Sequence, residues 1–115
     1  MRIQLKKDLN DTKIIQECKN IYYLHKTDTI KCDKYIEYEI ISQKDNDYCN
    51  NRNLSTDYII QVDVFSKYEN GFKIMQVIKE VLEKKGYRFY NAYDTYEDDT
   101  NLYHFATRFA YKKIN

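Results

Sequence analysis

Proline and tryptophan are absent from the 115 residues, and glycine occurs only at Gly71 and Gly86. Turns therefore fall to Asn, Asp and Ser, whose short polar side chains tolerate left-handed backbone and bond to nearby peptide groups. A P-loop and a Gly-rich dinucleotide turn are excluded, and neither HExxH nor GxSxG occurs. Cysteine is sparse as well. Cys18, Cys32 and Cys49 are odd in number and form no CxxC pair, which argues against a closed disulfide framework. The two histidines, His25 and His104, lie far apart, which argues against a zinc site. Reduced thiols in a cytoplasmic protein are the simplest expectation.

Long apolar runs are also missing. Residues 1–8 contain no apolar signal-peptide core. No segment approaches the roughly 18–20 apolar residues needed to span a bilayer, so a soluble chain without a membrane partner is expected. Neither sign of charge dominates: 19 basic residues stand against 18 acidic ones, for a formal charge of +1. Basic residues pair at Lys84-Lys85 and Lys112-Lys113 without longer runs. A protein that lives on phosphate backbones needs clustered Lys and Arg, so no specific nucleic-acid site is expected.

What the chain does have is apolar mass of one kind. Hydrophobic residues make up 43% and aromatics 16%, with 13 tyrosines. Tyrosine joins a large apolar ring to a polar tip, which suits half-buried sheet faces and protein interfaces. The length is that of a single domain, and no repeat or linker divides residues 1–115.

Residues 3–20 read as helix with a break at Asn10-Asp11-Thr12, and Ile14, Ile15 and Cys18 form its apolar stripe. Ile21 to Leu24 reads as a short strand. In Tyr35–Ile41, Ile36, Tyr38 and Ile40 alternate with Glu37 and Glu39, the pattern of a strand with one wet face. Residues 43–57 are polar and read as a long mobile loop. Tyr58–Ser66 is the clearest strand, with Tyr58, Ile60, Val62 and Val64 on one side and Gln61 and Asp63 on the other. After a break at 67–71, Phe72, Met75, Ile78, Val81 and Leu82 mark a helix. Lys84 and Lys85 suit its C-terminal dipole, and Gly86 suits the left-handed residue that ends it. Tyr87, Phe89 and Tyr93 suggest a further strand, Asp94–Asn101 an acidic turn, and Leu102–Tyr111 a closing strand. That last strand sets Tyr103, Phe105, Phe109 and Tyr111 against His104 and Arg108. The expected architecture is α+β: a single domain with a mainly antiparallel sheet of four to five strands and two helices packed on one face.

Catalytic constellations are weak. Asp45 and Asp47 resemble the start of a calcium loop but lack its glycine and terminal Glu. Glu97, Asp98 and Asp99 form either an exposed turn or a cation site. His104 and Arg108 share a face at about 13 Å, too far for a hydrogen-bonded pair. No enzyme, catalytic residue, metal or cofactor is expected.

Two stretches carry a resemblance. Gln61-Val62-Asp63-Val64 lies in a strand that precedes a long helix, and Tyr96-Glu97-Asp98-Asp99-Thr100, with Leu102 and His104, leads into the last strand. Over residues 20–113 the chain resembles the tail terminator (tail completion) proteins of long-tailed bacteriophages and of phage-tail-like bacteriocin particles. The resemblance implies a ring of identical copies, commonly a hexamer, that caps the tail tube and ends its growth. It implies the tube protein as partner, with the sheath protein and the head–tail connector as further ones. It implies assembly in the host cytoplasm and a place in the finished tail or tail-like particle. Candidate subunit or tube contacts are Asp45, Asp47, Asn50 and Arg52 in the polar segment, expected to become ordered on assembly. Asp63, His104 and Arg108 on polar strand faces, and Glu97 and Asp98 in the acidic turn, complete the set. The alternatives are another head–tail neck protein, a small nucleic-acid-binding α+β module whose tyrosines stack bases, and a metal-dependent hydrolase built on Glu97, Asp98 and Asp99.

Overall fold

The computed structural model describes residues 1–27 and 32–115. In chain order these form α1 (Arg2–Leu9), α2 (Thr12–Glu17), β1 (Ile21–Tyr23), β2 (Lys34–Cys49), β3 (Arg52–Ser66), α3 (Gly71–Lys84), β4 (Arg88–Glu97) and β5 (Leu102–Ile114). The strands make one sheet in the order β1-β2-β3-β5-β4. Only β1 and β2 run parallel; every other neighbouring pair is antiparallel. The α+β expectation holds, with a third helix because the break at residues 10–12 divides the N-terminal one. Asp11 makes that break by accepting a hydrogen bond from the Lys13 N–H at 3.0 Å, which caps α2.

Alternation along the strands produces the core. Ile36 and Tyr38 of β2, Ile60, Val62 and Val64 of β3, and Phe105 and Phe109 of β5 are buried on one face. Leu5 and Leu9 of α1, Ile14 of α2, and Ile74, Ile78 and Leu82 of α3 close over them in one apolar cluster. Each such side chain contributes about 1.5–3 kcal/mol by leaving water. Tyr87 ties the helices together, its hydroxyl donating to Asp8 Oδ2 at 2.7 Å. Gly86 ends α3 with φ +97°, as expected.

The α3 stripe differs from the expected one. Gly71, Ile74, Ile78, Val81 and Leu82 are buried, whereas Phe72 is half exposed. The helix is rotated because the Phe105 ring lies against Gly71, where an added Cβ would stand 2.7 Å from it. A glycine that looked like part of a loop is thus a packing contact.

The largest correction concerns residues 43–57, which are not a loop. β2 and β3 run on as a paired hairpin to a tight turn at Asn50-Asn51, with Gln43 opposite Tyr58, Asp45 opposite Thr56 and Cys49 opposite Arg52. Both turn residues are left-handed, at φ 52° and 63°, the backbone that two-residue hairpins demand and that asparagine tolerates. The end of β5 joins this arm, with Ser55 opposite Ile114 and Tyr58 opposite Tyr111. Among the described residues no helix covers the arm's outer part, where residues 41–52 are exposed, so its strands carry no apolar alternation and look like a loop in sequence. Polar pairs hold it instead: Asn46 Nδ2 donates to Asp57 Oδ2 and Ser55 Oγ to Asp47 Oδ2, each at 2.7 Å. The arm gives the molecule its length, 53 Å against 26 and 24 Å across.

The acidic turn is also shorter than expected, because β4 continues through Glu97. A bulge between Phe89 and Asn91 shifts the register of β4, so Phe89 and Tyr93 lie on opposite faces.

Gly71→Ala is expected to cost about 1–3 kcal/mol through overpacking against Phe105, read as a lower urea midpoint at unchanged slope. Gly71→Ala with Phe105→Leu should lose less than the sum of the two single changes. Strict additivity would mean that the ring and the glycine do not oppose each other.

Candidate functional site

The structure distributes the nine candidate residues over three places. Asp63, His104 and Arg108 come together on the helix-free face. Asp45, Asp47, Asn50 and Arg52 lie on the arm, and Glu97 and Asp98 lie where β4 turns into β5. Arg52 and Asp63 stand eleven positions apart along β3, or roughly 35 Å of strand.

On the helix-free face, β3 presents Gln61, Asp63 and Phe65, and β5 presents His104 and Arg108. Gln61 lies directly opposite Arg108, and Phe65 directly opposite His104. Arg108 Nε donates to Gln61 Oε1 at 2.9 Å. Gln61 Nε2 donates in turn to both Asp63 oxygens, at 3.0 and 3.2 Å. His104 Nε2 completes the chain at 2.8 Å from Asp63 Oδ1. Histidine and arginine, too far apart to pair directly, are thus joined through Gln61 and Asp63. Sequence reasoning passed over Gln61 as a bridge, because cross-strand register is not written in the periodicity of one strand.

This face is drier than a wet strand face should be. Gln61 and Asp63 are each only 8% exposed. The His104 ring stacks on Phe65 with centroids 4.2 Å apart, and Phe65 stacks on Tyr35 at 4.7 Å, so three rings on three strands form a ladder. Tyr93 meets His104 edge-on at 6.5 Å. The hydrogen bond to Asp63 raises the His104 pKa above its usual 6.5, and burial works against it. Glu37, on the same face, is raised chiefly by burial, although the Lys26 N–H donates to it at 2.6 Å. Tyr35 is pushed up to about 12, again chiefly by burial. Asp63 and the rings occupy His104, and no nucleophilic side chain hydrogen-bonds to it among the described residues. Such an arrangement can fix charge and ring positions at a surface.

Beside the ladder, a cleft of about 690 Å³ is lined by Tyr35, Glu37, Phe65, Leu102 and Glu97 among others. Glu97 accepts from Thr100 Oγ1 at 3.3 Å, which closes the turn. Among the described residues no group of three or more His, Cys, Asp or Glu is placed to hold a metal ion.

On the arm, Asp47 is held by Ser55 and by an ion pair with Lys112 of β5. The Lys112 hydrogen bond leads the causes that lower its pKa. Asp45, Asn50 and Arg52 are exposed. The segment expected to become ordered on assembly is already a paired hairpin.

No protein-family model and no curated protein matches the chain. Among solved structures, a chain from the virion of a native gene transfer agent (GTA) particle shares the fold. The likeness covers 96% of this chain and 91% of that one, with a TM-score of 0.66 at 10% sequence identity.

Because the His104 pKa is raised in the folded state, its bond to Asp63 contributes stability that is complete below the ordinary value of 6.5. That contribution is lost as pH rises through the folded value. Unfolding free energy should therefore fall from pH 6.5 into the alkaline range, and Asp63→Asn should flatten the fall. The raised Glu37 carboxyl also makes stability fall as pH rises above its usual 4.5, so the comparison with Asp63→Asn, not the slope alone, reports on the pair. An identical slope in wild type and Asp63→Asn, measured by urea titration across pH, would remove the pair from the account.

Proposed function

We propose that this protein is a structural subunit of a phage-like particle and, within it, the tail terminator: a ring of identical copies that caps the tail tube. The observation that carries the reading is the shared fold over 96% of the chain with a component of a gene transfer agent virion. The strand holding Gln61–Val64, the helix after it and the Tyr96–Thr100 approach to the last strand support the narrower assignment.

The physical requirements of such a subunit suit this architecture. A closed ring needs two different, complementary surfaces on each copy, one for each neighbour. A cap needs a third surface for the tube end. The sheet ends in two unlike edges, β1 and β4, while the arm extends the molecule along β2 and β3. In this reading Asp45, Asp47, Asn50 and Arg52 meet the tube protein, and Glu97 and Asp98 belong to a contact between copies. Asp63, His104 and Arg108 hold the sheet face rigid behind that contact. The sheath protein and the head–tail connector are the further partners, met in the host cytoplasm during assembly and kept in the finished particle. The role calls for no chemical step.

Light scattering across a concentration series tests the reading. A discrete closed oligomer near six subunits is expected, or a monomer that becomes a ring when tail tubes are added. A monomer that ignores tubes would end the terminator assignment. Arg52→Glu should leave the ring mass unchanged while weakening tube capping by about tenfold, seen by electron microscopy as tubes without caps. Full capping by this variant would move the tube contact off the arm.

A further inference from the structure

The two ends of the sheet are chemically opposite. At one end β4 is an edge strand whose outer side pairs with nothing among the described residues. Natural edges are commonly guarded by proline or lysine, and Arg88–Glu97 contains neither. Tyr90, Tyr93 and Tyr96 are exposed along it. Asp94 and Glu97, with Asp98 and Asp99 beyond, make this end acidic, and none of the four belongs to an ion pair among the described residues.

At the other end α1 lies beside β1, leaving a groove lined by Arg2, Ile3, Lys6, Tyr23 and Tyr38. The Arg2 guanidinium sits 5.1 Å from the centre of the Tyr23 ring, and Ile3 is 82% exposed. Neither Arg2 nor Lys6 has a carboxylate partner among the described residues. The groove is thus cationic with apolar and aromatic walls, while the far edge is acidic and bears tyrosines.

Register brings the two into correspondence. Asp94 lies opposite Phe105 and Tyr96 opposite Tyr103, so both are on the side of the sheet that carries the helices. Tyr23 lies opposite Tyr38, a core residue of that same side. Measured in rows of β3, Tyr38 aligns with Val62 and Asp94 with Val64. The groove and Asp94 therefore stand within about 7 Å of each other in height along the strands. A rotation about an axis roughly parallel to the strands carries one surface onto the other, which is the geometry of a head-to-tail contact.

We propose that copies of this chain join edge to edge, with Asp94 and Tyr96 of one copy seated in the Arg2–Lys6 groove of the next. This inference rests on the ring reading above and names the contact that closes the ring. The tyrosine rings and Ile3 supply the apolar area, and the opposed charges select the partner edge and its orientation.

The test reverses each edge in the full chain. One variant carries Asp94→Arg and Glu97→Arg; the other carries Arg2→Glu and Lys6→Glu. Arg2, Lys6 and Asp94 are exposed, whereas Glu97 is half-buried and holds Thr100, so an unchanged urea midpoint first shows that each variant folds. Each alone should associate more weakly than wild type by more than about tenfold. An equimolar mixture should regain rings, because every reversed edge then meets a reversed partner in alternation. Rings from either variant alone at wild-type concentrations, or a mixture that stays monomeric, overturn the edge assignment and leave the ring reading standing. A wild-type chain that stays monomeric with and without tail tubes overturns both.

Discussion

The rest of the structure depends on burying β3 on both of its faces. One face is simple: Ile60, Val62 and Val64 meet the helices. The other carries Asp63, a carboxylate with little water around it. Leaving a charge unpaired in such a place costs several kcal/mol, far more than a surface ion pair returns. Asp63 is tolerable because Gln61 and His104 both reach it. That requirement fixes the register of β5. A slip by one residue would turn His104 toward the core and bring an odd-numbered, largely aromatic face of β5 against Asp63. The apolar pattern and the polar network therefore select the same alignment from opposite sides of the sheet, and such agreement between levels is what gives a sequence a single fold.

The same division explains what could be read before the structure. Strands and helices that bury one apolar face announce themselves: Tyr58–Val64, the last strand and the helix ending at Gly86 stand where periodicity put them. Two kinds of feature did not. The arm is β-structure without a core to face, and its order comes from Asn46–Asp57, Ser55–Asp47 and a left-handed Asn50-Asn51 turn. Composition reads such a segment as loop because strand signals are mostly signals of burial. Contacts that exist only between elements were equally hidden. Gly71 became visible as a packing residue only once Phe105 was beside it, and Gln61 as a bridge only once β5 lay against β3. Asp63, His104 and Arg108 were legible as residues sharing polar faces, and their connection was not.

The network also changes what those three residues can do in the proposed ring. As separate exposed charges they would be free to bond a neighbour. Here the hydrogen bonds of Asp63 are spent within the chain, and the His104 ring is held by Phe65 and Tyr93. They are better placed to stiffen the sheet than to grip a partner. Rigidity has value in a ring, since each contact must form at nearly the same angle for the last copy to meet the first.

Among the described residues, unpaired charges of opposite sign stand at the two ends of the sheet, Arg2 and Lys6 at one and Asp94, Asp98 and Asp99 at the other. In an isolated chain their solvation costs nothing, so their separation by sign is neutral for folding and has meaning only between molecules. Screening keeps such exposed charges from supplying much affinity by themselves. Affinity at an edge contact must come from the tyrosine rings and the open β4 backbone, whose unpaired groups can add to a neighbouring sheet. An apolar, open edge without charge would pair with copies of itself and give dimers or fibres. An acidic edge repels its own kind and accepts the basic groove, so repulsion as much as attraction directs assembly from head to tail.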